Sequence, residues 1–365
     1  MAYKSLLFLG LISAAAAQTW SSCNPMNETD CPNDTALGMN YTFNFVTTTG
    51  EDVWNTTAGT IDFGSTGAEF TINQKGDSPT IQSEFYIFGG KVEVNMKAAP
   101  GQGIISSIVL ESDDLDEVDW EFIGGNHTTV ETNYFGKGNT TSYDRAIYYD
   151  VDEPQSKFHN YTVDWTQEAI KWIIDGTTVR TLKYADANNG NNFPQTPMNI
   201  RLGIWAGGDS DNSNGTIEWA GGLTSYDDSY TMYVKSCKVW DYSTGKAYKF
   251  GDKTGSWDSI EIISGNSTVK EELTGSVTKT VKKTWHSLSK NTRIAIGCSA
   301  AGGAALLMAL FAFCCIKQRR AGRKEAALHD AEMEKGAAEL MEYRSRMANG
   351  GYAMVGGQQS SRFSR

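Results

Sequence analysis

From about residue 40 to 263 the chain is made of short runs in which apolar and polar residues alternate, separated by Gly, Asn and Asp. In "KVEVNMK" (91–97), Val92, Val94 and Met96 fall on one side and Lys91, Glu93, Asn95 and Lys97 on the other. That period of two belongs to a half-buried strand. "IKWIIDGTTVRTL" (170–182) is two such runs around Asp175 and Gly176, which predicts a hairpin. "MNIRLGIW" (198–205) sets Met198, Ile200, Leu202 and Ile204 against Asn199, Arg201, Gly203 and Trp205. "GTIEW" (215–219) sets Thr216 and Glu218 against Ile217 and Trp219 and is read as another strand. No apolar pattern of helical period and length occurs here. With 10 Trp, 16 Tyr and 15 Phe in the chain, the pattern predicts an all-β sandwich of two antiparallel sheets, about 220 residues long and large enough for a core.

Two segments break the alternation. Residues 1–17 hold Lys4, an apolar run and a small-residue end, the pattern of a secretory signal cut before Gln18. Residues 294–316 carry no charge over 23 positions, enough for one transmembrane helix. "KQRRAGRK" follows, so the tail 317–365 is expected in the cytoplasm and the N-terminal part outside, at the plasma membrane. A glycolipid-anchor signal would end with its apolar tail, and this chain continues past it. Residues 18–263 are therefore read as the extracellular domain, and the Ser/Thr/Lys-rich 264–293 as a stalk. The segment 18–293 has 21 basic and 37 acidic residues, against 10 and 6 in the tail. An acidic exterior argues against nucleic acid as a partner. Nine Asn-x-Ser/Thr sites (Asn27, Asn33, Asn40, Asn55, Asn126, Asn139, Asn160, Asn214, Asn266) all precede the apolar block, as in a secreted glycoprotein. Cys23 and Cys31 flank a short polar loop and are the expected disulfide, Cys237 is expected as a buried thiol, and Cys298, Cys314 and Cys315 belong to the apolar block.

The alternation has one unusual member. "DEVDWEF" (116–122) places Glu117, Asp119 and Glu121 on one strand face, with Val118, Trp120 and Phe122 on the other. Like charges so close repel and raise one another's pKa. The Cα atoms of Glu117 and Glu121 lie roughly 13 Å apart on a flat strand. On a concave sheet the two side chains can lean to within about 5 Å, near the separation of a retaining glycosidase and short of what an inverting one needs for its water. One Glu can then attack an anomeric carbon while the other protonates the leaving oxygen, with Asp119 between them to hydrogen-bond one. Arg201 and Trp205 share the face away from the core, where a sugar ring can stack on Trp205 and Arg201 can donate to hydroxyls. With only four His and no H-E-x-x-H, serine elbow or phosphate loop, metallohydrolase, protease and kinase readings have little support. The reading calls for no metal or cofactor.

"DEVDWEF", "TNYFGKG", "FHNYTVDWT", "IKWIIDG", "MNIRLGIWAGGD" and "GTIEWAGG", in that order, resemble glycoside hydrolase family 16, and within it the fungal Crh-type cell-wall transglycosylases. The resemblance spans about residues 23 to 248. It implies a concanavalin-like β-jelly roll with Glu117 as nucleophile, Glu121 as acid/base and Asp119 as auxiliary carboxylate, while Asn133, Arg201, Trp205 and Thr216 match cleft-lining positions. It further implies a chitin-type donor and a β-glucan acceptor in the cell wall. An endo-β-glucanase using water on the same scaffold, or a non-catalytic sugar receptor, would share most of these features. The chain departs from many relatives in having an apolar span and basic tail instead of a glycolipid signal, and in lacking a cysteine-rich chitin-binding module.

Overall fold

The alternating runs do form strands in the computed structural model, which describes residues 20–48, 53–141, 144–275, 314, 317–319, 322, 329 and 333–346. The signal segment and nearly all of 294–316 lie outside the described residues. Among the described residues no helix is long and apolar enough to cross a membrane. The chain divides into two units, Met1–Lys279 and Thr280–Arg365. In the second, residues 333–346 are an exposed helix.

The first unit is an antiparallel β-sandwich. A seven-stranded sheet runs in the order Ile147–Asp150, Thr129–Phe135, Glu117–Ile123, Ile104–Ser112, Met198–Ala206, Thr80–Ser83, Trp54–Ala58. An eight-stranded sheet packs behind it, with Gly90–Lys97, His159–Trp165 and Tyr230–Asp241 at its centre. A small three-stranded sheet is built by Asp34–Thr35, Ala247–Phe250 and Ile260–Ile263. The inward residues of the two large sheets make one core. Trp120 and Phe122 meet Tyr161 edge-on across it, at 5.5 and 4.6 Å between ring centroids. The Trp172 indole, also on the rear sheet, donates to the Asp119 carbonyl at 3.0 Å. A buried Trp brings its N–H to a partner because an unpaired donor there is costly, and this one fixes the backbone of the carboxylate strand.

The hairpin at 170–182 forms as its sequence requires. Ala169–Ile174 pairs with Thr177–Lys183, and both turn residues, Asp175 (φ 47°) and Gly176 (φ 82°), are left-handed. That is the twist-matching two-residue turn that Asp-Gly favours. "GTIEW" corrects the strand reading: Asn214–Trp219 is a short helix, its first turn capped by Ser213 Oγ, which accepts from the Thr216 N–H at 3.2 Å. A serine cap is a local signal that a two-residue alternation over five positions cannot outweigh. The first residues of the segment read as a stalk pack on this unit. Residues 268–275 are helical, Val269 is buried in the core, and Lys270 Nζ donates to the Gly38 carbonyl at 3.3 Å. The Cys23–Cys31 disulfide is formed and Cys237 is a buried free thiol.

Candidate active site

In an antiparallel ladder, directly opposed residues share a face, so the register maps the groove. One row runs Tyr148–Glu131–Glu121–Ser107–Gly203–Thr80. The next runs Asn133–Asp119–Val109–Arg201–Gln82–Asn55. A third runs Phe135–Glu117–Glu111–Asn199. Glu117, Asp119 and Glu121 therefore lie on the outer face of the seven-stranded sheet, with Val118, Trp120 and Phe122 wholly buried beneath them. Asp116, the first residue of the motif, is structural. It turns away and accepts the backbone N–H groups of Gln195 (2.6 Å), Thr196 (3.1 Å) and Lys137 (2.9 Å).

The three carboxyls sit in unequal environments. Burial raises all three. For Glu117 three influences oppose it: a hydrogen bond from Asp119, then the charges of Arg201 and Arg145. Asp119 is held well above the ordinary carboxyl range by burial and then by the charges of Glu117 and Glu121, which favours its protonated form beside Glu117. Glu121 is also held well up, by burial, then the Glu131 charge, then that of Glu117. Carboxyls whose surroundings push them apart separate into base and acid. Glu117 has a hydrogen-bonding neighbour and two cations set against its burial, whereas the charges that act on Glu121 are those of further carboxyls.

The remaining sequence candidates divide. Trp205 faces the groove, half-buried, and stacks on Trp219 at 6.0 Å with the rings 24° apart. Asn133 lies beside Asp119; its carbonyl oxygen accepts from the Tyr134 N–H at 2.9 Å and its amide reaches Glu131 at 3.5 Å. Arg201 is on the expected face but only 3% exposed. It pairs with Glu111, and donates to Asn199 (3.1 Å) and to the Trp20 carbonyl (2.9 Å). Burial without partners would be costly for a guanidinium, and this network holds it below the sugar-facing surface as a charge for Glu117. Thr216 is turned to its own helix, its hydroxyl 2.9 Å from Ser213 Oγ. The helix delivers Trp219, three residues on and on the same side.

Sequence reasoning missed Glu131 and Tyr148. Glu131 is 2% exposed. It accepts from Trp219 Nε1 at 2.7 Å and is hydrogen-bonded by the Tyr148 hydroxyl. Its signal was available: "TVETNYF" alternates Glu131 and Asn133 on one face, beside the carboxylate strand. In the acidic loop 207–215, Lys75 pairs with Asp209 (3.2 Å) and Asp211 (2.8 Å).

The site is thus a β-sandwich face that carries a cluster of carboxyls, with a stacked tryptophan pair beside it. Residues 48–221 match glycosyl hydrolases family 16. The chain is 57% identical over 345 residues to Crh-like protein 2 of Botryotinia fuckeliana (92% of this chain, 76% of that one). It is 49% identical over 351 residues to a Crh-like protein of Arthroderma benhamiae, covering 96% of each. Its fold is similar to the Crh5 transglycosylase in complex with NAG, with a TM-score of 0.64 and 56% identity over 66% of this chain and 99% of that one. The chain belongs to glycosyl hydrolases family 16, among the Crh-like proteins.

Proposed function

We propose that the chain is a retaining transglycosylase that cleaves a chitin-type β-1,4-linked donor and joins it to β-glucan, cross-linking the cell wall. The observation that carries the reading is the asymmetric carboxyl pair on one strand face, Glu117 favoured as the anion and Glu121 as the acid, with Asp119 donating to Glu117. The Glu117 carboxylate attacks the anomeric carbon while the Glu121 proton passes to the departing glycosidic oxygen, leaving a glycosyl ester on Glu117. As that ester forms, Asp119 loses its charged acceptor. The deprotonated Glu121 then takes the proton of the acceptor hydroxyl, whose oxygen displaces Glu117. With β-glucan as the donor and water in the acceptor's place, the same two steps would make the site an endo-β-glucanase. A donor of N-acetylglucosamine units is supported by 56% identity to a transglycosylase that binds NAG. The site lies on the unit read as extracellular, with residues 294–316 as the single-pass anchor in the plasma membrane.

The test is transfer. Full-length protein is incubated with chitin oligosaccharides and a fluorescent β-glucan oligosaccharide. Label moving into a larger product is expected, and it should vanish with Glu117→Gln. Shortened donor without labelled product would remove the transferase claim and leave hydrolysis, whereas binding without turnover would remove both.

A further inference from the structure

The three carboxyls of the motif are not alone on the groove face: Glu111 lies beside Glu117, and Glu131 beside Glu121. Glu131 stands directly opposite Glu121 on the neighbouring strand Thr129–Phe135. It is gripped from the other side by the Trp219 indole at 2.7 Å and the Tyr148 hydroxyl, and reached by the Asn133 amide at 3.5 Å. Trp219 in turn stacks on Trp205. One buried group thus touches the wall of the acid and the wall of the aromatic platform.

Resting on the reading above, we infer that Glu131 is a positioning residue that couples two parts of the site: its charge holds the proton on Glu121, and its hydrogen bond sets the orientation of the Trp219–Trp205 platform. The charged and titratable groups around Glu121 support the first half. Along its own strand are Glu117 and Asp119; from the flanking strands on one side come Glu131 and Tyr148; on the other side stands the neutral Ser107, with Glu111 farther along the same strand at the level of Glu117. Arg180 reaches the Glu131 strand from behind, donating to the Thr132 carbonyl at 2.8 Å, and feels the Glu131 charge. Of all these, the Glu131 charge presses hardest on Glu121, followed by Glu117. The second half rests on geometry: Trp219 belongs to a helix of only six residues, too short to be stable alone, so the indole–carboxylate bond is a principal tether.

The halves separate by substitution in the full-length protein. Glu131→Gln removes the charge and keeps an acceptor for Trp219. The alkaline limb of the kcat/KM profile, where Glu121 loses its proton, is expected to move down by about one pH unit, with KM near the native value. Glu131→Asp keeps the charge but is one methylene short of Trp219; KM for the oligosaccharide donor should rise several-fold while the alkaline limb stays. Trp219→Phe should reproduce the KM effect alone. An unmoved limb in the Gln variant overturns the electrostatic half, and an unmoved KM in the Asp variant overturns the anchoring half. If the Gln variant fails to fold, the Asp variant still decides, because a displaced limb with the charge retained contradicts the inference. A native protein with no activity on glycan would instead defeat the proposed function, and the inference with it.

Discussion

At the scale of single residues the site is organised by which neighbour each carboxyl has. Asp119 is the clearest case. Burial and two flanking negative charges favour its protonated form, the form that can donate a hydrogen bond to Glu117. Removing that donor takes away the first influence that holds Glu117 down. Asp119→Ala is therefore expected to raise the Glu117 pKa and shift the acidic limb of kcat/KM toward higher pH, by about one unit, with activity at the optimum also reduced. Asp119→Asn, which still donates, should move that limb less. A profile for Asp119→Ala whose acidic limb coincides with the native one would show that Asp119 does not set the ionisation of Glu117. Arg201 illustrates the limit of reading such residues from sequence. Alternation gave its face correctly, but only the fold reveals that Glu111, Asn199 and the Trp20 carbonyl have already taken its donors.

Elements were legible where one strong local rule governed them. The Asp-Gly turn with its two left-handed residues and the alternating strand Gly90–Lys97, buried at every second residue, follow directly from local chemistry. The short helix at 214–219 did not, because its five visible positions fit either period and the deciding residue, Ser213, lay just outside the motif. Glu131 escaped for a different reason. Its strand follows the carboxylate strand after only five residues, so the pairing was within reach, but the register that sets Glu131 opposite Glu121 and the Trp219 contact that engages it come only with the fold. Motif residues also differ in kind. In "TNYFGKG", Asn133 belongs to the groove, but Gly136 belongs to the architecture: a Cβ there would lie 2.5–2.7 Å from the Asn192 backbone. Backbone cannot swing aside as a flexible side chain does, so Gly136→Ala should destabilise the fold by about 1–3 kcal/mol. An unchanged midpoint in denaturant unfolding would contradict the close approach.

Over the whole molecule, the acidic character of the exterior reaches into the interior. Burial, then the Asp114 charge, pushes Asp116 up to about 7, and burial pushes Asp241 up to about 6. Asp34, Asp114 and the three site carboxyls are raised as well, burial again the first cause. In the unfolded chain these groups return to about 4. The folded state then binds their protons more tightly, so their contribution to stability is fully present below about pH 4 and is lost as pH rises through 6 and 7. Asp209 is depressed and works the other way, but its contribution is lost only on acidification below the ordinary carboxyl range, outside that window. Thermal unfolding at constant salt should accordingly show a midpoint several degrees higher at pH 5 than at pH 8; a flat or rising midpoint over that interval would mean the buried carboxyls are ionised at neutral pH. The same protons serve the chemistry, since Glu121 acts as an acid only while protonated. Activity and stability should therefore decline together toward alkaline pH, by separable routes. Loss of the Glu121 proton is immediate and reverses on returning to pH 5, and Glu131→Gln should move it to lower pH without moving the unfolding curve by an equal amount.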